Sequence, residues 1–223
     1  MNGSEPSAAS SFSAGAAQVT QGQRGVVSAN DAAQPTPCQW GVMDELYQRY
    51  HDECWGKPLH DERRLFELLC LECQQAGLSW SLILHRADEL RRVYDGFDPE
   101  KLAAWTDERL EVARQDPAAI RNRLKIKAMR TNAQAYAELA RECGGLDAYL
   151  WEWVDGQPIV NHPLTMADIP AQSELSRTIS RDLRKRGFTF VGPVVVYSYL
   201  QAAGLINDHL EHCPAKYATA GSR

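Results

Sequence analysis

The chain has 223 residues, 44% of them hydrophobic, and a formal net charge of −5. That length supports one sizeable core, or a core with a small annex, rather than several domains. No apolar run approaches a membrane span, and the acidic balance excludes a uniformly basic, generally adhesive nucleic-acid binder.

The first stretch, MNGSEPSAASSFSAGAAQVTQGQRGVVSANDAAQPTP, is rich in Ser, Ala, Gly, Gln and Pro and has few large apolar residues to bury. Residues 1–37 are therefore expected to form a disordered tail. They lack the basic start and compact hydrophobic block of a secretory signal, so a cytoplasmic location is expected. In that reducing compartment the six cysteines are expected to be free thiols or metal ligands rather than disulfides.

The folded region opens with Cys38 and a crowd of aromatic residues, Trp40, Tyr47, Tyr50 and Trp55, with His51 among them. Next comes ERRLFELLCLECQQAGL, whose apolar residues recur at helical spacing, and LECQQAGLSW places Glu72 inside that run, with Trp80 closing it. A carboxylate on a buried helix requires a partner, either an internal cation or amide, or a ligand. Cys70 and Cys73 form a C-x-x-C, but with no second pair and within an apolar helix they read as core.

Helical periodicity continues through LILHRADELRRVYDGF, DERLEVARQ, IRNRLKIKAMRTNAQAYAELAREC, LDAYLWEWV and SELSRTISRDLRKRG. Asp98 with Pro99, and Thr106 with Asp107, mark helix starts, and Gly144 with Gly145 marks a stop. PIVN near residue 160 is a short strand candidate. VVVYSYL follows a turn and runs into Gln201, Ala202 and Ala203, so it reads as a helix despite its branched residues. The fold class is all-α.

The segment RDLRKRGFTFVGPVVVYSYLQAAGL passes from a basic helix through Gly187 and Gly192 into an apolar helix that begins near Pro193. This is the layout of a helix-hairpin-helix, in which amides at the second helix's start approach a phosphate. Arg181, Arg184, Lys185 and Arg186 supply positive charge beside it. A second cluster, Arg121, Arg123, Lys125, Lys127 and Arg130, points the same way, and local patches on an acidic chain favour one docking face. At the far end, His209 and Cys213 stand four residues apart, about one helical turn. With Cys38 and His51 they form a set of two thiols and two imidazoles suited to tetrahedral zinc, a site that would tie the chain ends together. Cys54 and His212 remain alternative members of that set.

Three segments, CQWGVMDELYQRYHDECWGKPLHDERRLFELLCLECQQAGLSW, KRGFTFVGPVVVYSYLQAAGLINDH and the closing H-x-x-x-C, resemble the 3-methyladenine DNA glycosylase I (Tag) family over essentially all of Cys38 to Cys213. The resemblance implies a helix-hairpin-helix DNA glycosylase fold over residues 38–217, with a zinc-binding annex built from both ends of the domain and residues 218–223 as a flexible C-terminus. It makes Cys38, His51, His209 and Cys213 the ligands of one structural zinc per chain. Four protein ligands leave no open metal position for hydrolysis. Glu72 becomes the carboxylate that recognises the damaged base, with Tyr47, Tyr50, Trp80 and Trp40 as walls and Trp55 in support.

The implied activity is base-excision repair by a monofunctional glycosylase that flips alkylated bases, mainly 3-methyladenine, out of double-stranded DNA and leaves an abasic site. Lys185, Arg186, Gly187 and Gly192 would meet the backbone, and Leu78 would be the wedge that fills the vacated stack. Asp208 follows the hairpin, where the wider superfamily places a catalytic Asp, but ranks below Glu72. Cys54 and Cys73 depart from the family's usual residues without removing a ligand or wall. The implied protein is a monomer, nucleoid-associated when acting on DNA. The competing reading is a non-catalytic helix-hairpin-helix DNA-binding module with structural zinc.

Overall fold

In the computed structural model, which describes residues 37–218, the helical periodicities become ten α-helices. In chain order these are α1 (Glu45–Glu53), α2 (Glu62–Gln75), α3 (Trp80–His85), α4 (Ala87–Val93), α5 (Pro99–Ala103), α6 (Asp107–Gln115), α7 (Arg123–Cys143), α8 (Leu146–Glu152), α9 (Glu174–Lys185) and α10 (Pro193–Ala202). The only sheet among the described residues joins β1 (Ile159–Val160) to β2 (Ile206–Asn207) in parallel, with Ile159 opposite Ile206. PIVN is thus a strand, paired with a partner the sequence did not announce. The tail and flexible-end assignments fall outside the described residues, apart from Pro37 and Ala218. The described residues belong to one compact unit, Gln34–Arg223.

Local chemistry accounts for the helix ends. Asp61 and Asp44 accept from the amides of Arg64 and Tyr47 at the starts of α2 and α1, and Asp98 and Thr106 cap α5 and α6 in the same way. α7 starts under the Asn122 side chain and stops at Gly144, whose φ of 86° is the left-handed conformation that glycine adopts freely. The first amides of α8 bond the Glu62 carboxylate, Leu146 N at 2.5 Å and Asp147 N at 3.0 Å, which fastens α8 to the start of α2.

α2 is the axle of the core. Leu65, Phe66, Leu69, Cys70, Leu71, Cys73 and Gln74 are all buried with Glu72, and the helix packs against α3, α7, α8 and α10. Each fully buried Leu or Phe contributes roughly 1.5–3 kcal/mol. That packing leaves enough stability to keep one awkward carboxylate inside. In α10, Pro193 occupies the first turn, and Val196, Tyr197, Tyr199 and Leu200 are buried, so tertiary packing outweighs the weak helix preference of the branched residues.

Two expectations are corrected. LILHRADELRRVYDGF is two helices, because Arg86 at φ −103°, ψ 7° ends α3 and its amide bonds Ile83 O in a tightened last turn. The apolar spacing of Ile83, Ala87, Leu90 and Val93 carries on across the break, which hides it from a periodicity argument. His209 and Cys213 do not share a helical face, since β2 runs directly into a turn and Cys213 N bonds Leu210 O there.

Candidate active site and metal centre

Glu72 lies in the last turn of α2 and is 3% exposed. Its Oε2 is buried with no hydrogen-bond partner. Desolvation alone raises its carboxyl to about 8, with no cation opposing it. A structural carboxylate is normally held by donors, as Glu62 is by the α8 amides. Glu72 instead keeps an acceptor free inside the protein.

The neighbours of Glu72 are aromatic. Burial raises the phenols of Tyr47 and Tyr50, and the Glu72 charge pushes both further in the same direction. The Tyr50 and Trp80 rings lie 5.3 Å apart at 44°, and Trp80 Nε1 is a second buried polar atom with no partner. A cavity of about 500 Å³ beside this pair is lined by Tyr50, Trp80, Leu71 and Leu84 together with the charged Arg49, Glu53, Arg64, Glu67 and Arg91, and Glu72 itself lies outside its lining. Trp40 stands edge-on to Tyr47 at 5.7 Å and to Trp55 at 4.9 Å. Trp55 in turn meets the His209 ring at 4.6 Å. Trp40 and Trp55 therefore join the Glu72 cluster to the cysteine–histidine cluster.

The loop after α2 sets Leu78 and Trp80. Gly77 adopts φ +77° with open space where a Cβ would be. Leu78 N bonds Gln75 O, Leu78 is 38% exposed, and the Ser79 hydroxyl caps α3 at Leu82 N. Lys125, expected in a basic surface cluster, is instead 4% exposed, and its ammonium donates to Gln74 O and Ala76 O at 2.7 Å each. Arg130 of the same cluster pairs with Asp107 and bonds Trp105 O. Arg121, Arg123 and Lys127 remain exposed.

The turn between α9 and α10 abuts the far side of Glu72's neighbour. Cys73 Sγ lies 3.7 Å from Thr189 O and 3.6 Å from Phe190 O, and Asn132 bonds the Thr189 amide at 2.8 Å and its carbonyl at 3.1 Å. Phe190 holds φ +57°, a strained conformation for a non-glycine residue. Gly192 starts α10 with no side-chain cap and Pro193 brings no amide hydrogen, so the first backbone donors of the helix are those of Val194 and Val195. Lys185 and Gly187 are exposed. Arg186 is spoken for within the protein, bonded to Asp182 at 2.7 Å and Glu142 at 2.6 Å over the Tyr149 ring.

Asp208 is buried under three donors: Asn161 Nδ2 at 2.7 Å, Tyr197 OH at 2.6 Å and Gln201 Nε2 at 2.7 Å. Unlike Glu72, it is fully engaged in tying β1, α10 and β2 together.

Cys38, His51 and Cys213 converge, with their donor atoms all within 4.8 Å of one another and all three residues buried. The Cys38 thiol bonds the Cys213 sulfur, which holds Cys213 well below the ordinary thiol range and Cys38 above it. His51 Nδ1 meets Asp52 at 2.7 Å, turning Nε2 toward Cys213 Sγ at 3.5 Å. Such a carboxylate behind a histidine is the usual outer support of a metal ligand. His209 lies beside the group, its ring 4.7 Å from that of His51, but its donor atoms are not among the converging ones. Its Nδ1 faces Asn207 Oδ1 at 2.9 Å, the Asn207 amide being oriented by its bond to Lys216 O. Burial lowers His209 to about 4, which keeps the ring neutral, and its Nε2 lies 3.3 Å from His51 O. Buried thiols and neutral imidazoles are a donor set for a soft divalent ion, and these residues fit one.

Sequence reasoning missed the supporting residues Asn132, Asn207, Asp52 and Lys125. Asn132 had a signal: it falls on the apolar face of α7 with Met129 and Ala133, where a polar residue must have a partner.

Fold and site together define an all-α protein with a buried, unpartnered carboxylate next to an aromatic-walled cavity, a helical hairpin beside it and a cysteine–histidine centre joining its ends. A model of the methyladenine glycosylase family matches residues 40–217. DNA-3-methyladenine glycosylase of Haemophilus influenzae is 40% identical over 182 residues, 81% of this chain and 98% of that one. DNA-3-methyladenine glycosylase 1 of Escherichia coli is 43% identical over 176 residues, 79% and 94% of the two chains. The solved 3-methyladenine DNA glycosylase I of Staphylococcus aureus, described with its 3-methyladenine recognition, is similar at a TM-score of 0.79 with 36% identity, covering 82% of this chain and 98% of that one. The chain belongs to the methyladenine glycosylase family and is accordingly an enzyme, a hydrolytic glycosylase.

Proposed function

We propose that this protein excises 3-methyladenine from double-stranded DNA, leaving an abasic site, with Glu72 as the recognising carboxylate. The observation that carries the reading is the buried, unpartnered Glu72 Oε2 among Tyr47, Tyr50 and Trp80. Relatives named for 3-methyladenine support the choice of base.

The chemistry follows from charge. Alkylation at N3 makes the base cationic, so cleavage of the N–C1′ bond sends the bonding pair to the base and releases it neutral. Little acid catalysis is then needed. The flipped base stacks on Tyr50 and Trp80, whose ring faces attract a cation, and Trp40 and Tyr47 complete the enclosure. Glu72 accepts from the base edge. In the empty protein desolvation favours its neutral form, and the incoming cationic base reverses that balance, so the carboxylate ionises against the charge the base brings in. Water adds to C1′, forming the C1′–O bond as its O–H bond breaks, and the proton passes to solvent, which closes the balance.

On this reading α9, the turn and α10 form a helix-hairpin-helix. The uncapped amides after Gly192, the open Gly187 and the exposed Lys185 meet the phosphates, Arg186 braces the hairpin from behind, and Leu78 enters the vacated stack. Zinc is held by Cys38, His51 and Cys213, with His209 as the fourth ligand. Bound there, it supplies only a staple between the chain ends. The enzyme acts as a cytoplasmic monomer formed by residues 38–217, and no helix among the described residues is long and apolar enough to cross a membrane.

The test is chromatography of bases freed from methylated duplex DNA. Release of 3-methyladenine in preference to 7-methylguanine is expected. A folded protein that binds the duplex and frees neither base would replace this reading with that of a non-catalytic DNA-binding module.

A further inference from the structure

The sequence placed Lys125 on a basic surface, yet the structure buries it and uses its charge elsewhere. α2 ends at Gln75 without a left-handed glycine at the cap, and Ala76 turns away at φ −43°, ψ 113°. The last carbonyls of a helix lack partners and carry its negative pole. Lys125, in the first turn of α7, supplies both hydrogen and charge there, bonding Gln74 O and Ala76 O at 2.7 Å each. Gln74 Nε2 returns a longer contact of 3.4 Å to Lys125 O, and the Asn122 side chain fixes the backbone by capping Lys125 N.

What those carbonyls govern is specific. Gln74 is two residues from Glu72, Ala76 is two from Leu78, and the same loop delivers Trp80 into α3. Beyond Ala76 the loop packs against little: a Cβ added at Gly77 would meet nothing within 4 Å, Leu78 is 38% exposed, and the turn is closed by the bond of Leu78 N back to Gln75 O.

We propose that Lys125 is a positioning residue for damage recognition: by clamping Gln74 O and Ala76 O it sets where Leu78 stands relative to the Glu72 pocket, and so controls affinity for an opened duplex without touching DNA or base. The inference rests on the proposed roles of Leu78 and Glu72.

The test compares wild type with Lys125→Met, Lys125→Arg, Leu78→Ala and the Lys125→Met/Leu78→Ala pair, all on full-length, metal-loaded protein with a folding check. Two affinities are measured, for duplex carrying an abasic site and for free 3-methyladenine. Lys125→Met is expected to weaken the duplex complex by about tenfold or more, as loss of about 1.4 kcal/mol would. Free-base affinity should stay within about twofold, and in the Leu78→Ala background the Lys125 effect should shrink to about twofold or less, because both act on one element. Lys125→Arg, which keeps charge and donors, should recover most of the duplex affinity. If Lys125→Met does not fold, Lys125→Gln carries the test, since it keeps a donor but loses the charge and the reach to both carbonyls, and should again lower duplex and not free-base affinity. Unchanged duplex affinity, a parallel fall of both affinities, or an undiminished effect without Leu78 would overturn the inference. A wild-type protein that releases no 3-methyladenine would sink the underlying function instead, a distinct result.

Discussion

Replacing Glu72 with Gln should stabilise this protein and abolish its purpose. Glu72 is buried, its Oε2 lacks a partner, and desolvation raises its carboxyl from 4.5 to about 8. In the unfolded chain the same group ionises at its ordinary value. The folded state thus binds a proton more tightly, and the stability Glu72 contributes is complete below 4.5 and is lost as pH rises toward about 8. Each pH unit in that window costs about 1.4 kcal/mol, so by about pH 7 the penalty is on the order of 3 kcal/mol. Gln has the same shape and no charge to desolvate. Urea denaturation of wild type and Glu72→Gln across about pH 5 to 8 is the assay. Near pH 5 the two should differ by about 1 kcal/mol or less, with the variant pulling ahead as pH rises to a lead of roughly 3 kcal/mol at about pH 7 and about 4 kcal/mol by about pH 8. Other titrating groups cancel in the difference. A constant gap, or a wild type that holds its stability to alkaline pH better than the variant, would refute the reasoning and point to a hidden partner for Glu72.

Metal analysis of purified protein should find about one zinc per chain. Cys213→Ala should lose the metal and melt at lower temperature, whereas metal-free wild type of full stability would remove the staple. Gly56→Ala should cost about 2 kcal/mol or more, because Gly56 holds φ +69° and an added Cβ would lie 2.9 Å from His209 Cε1 and Nδ1; thermal denaturation reads this out. In the hairpin, Lys185→Ala should lower the salt slope of duplex binding by about one. Arg186→Ala should instead reduce stability, through loss of its bonds to Asp182 and Glu142, and leave that slope nearly unchanged. A reversal of those two outcomes would exchange the roles of the neighbours.

Much of this was legible in the chain because helix and cap signals are local. Asp98, Thr106, Gly144 and Pro193 marked real boundaries, and Glu72 stood out as a charge inside an apolar period. The break at Arg86 was not legible, since the buried face continues unbroken from Ile83 to Val93. Nor was β2, a two-residue strand whose existence depends on a partner 47 residues earlier, beyond the reach of any local pattern. Lys125 and Arg186 show the limit for charges. A run of basic residues fixes composition but not direction, and on α7 the helical phase turns Lys125 inward while Arg123 and Lys127 stay outside. The residues around Cys38 were found as donor types, but Asn207 and Asp52, which set the orientation of the imidazoles, carry no sequence signature of that task.

The most direct test of the central claim is single-turnover release of 3-methyladenine from methylated duplex DNA by wild type and Glu72→Gln, both shown to be folded and metal-loaded. The account predicts release by wild type and a loss of about a hundredfold or more in the variant, the scale of removing one preorganised group from a transition state. Equal rates in the two proteins would contradict it, because the unpartnered Glu72 carboxylate would then have no part in excision.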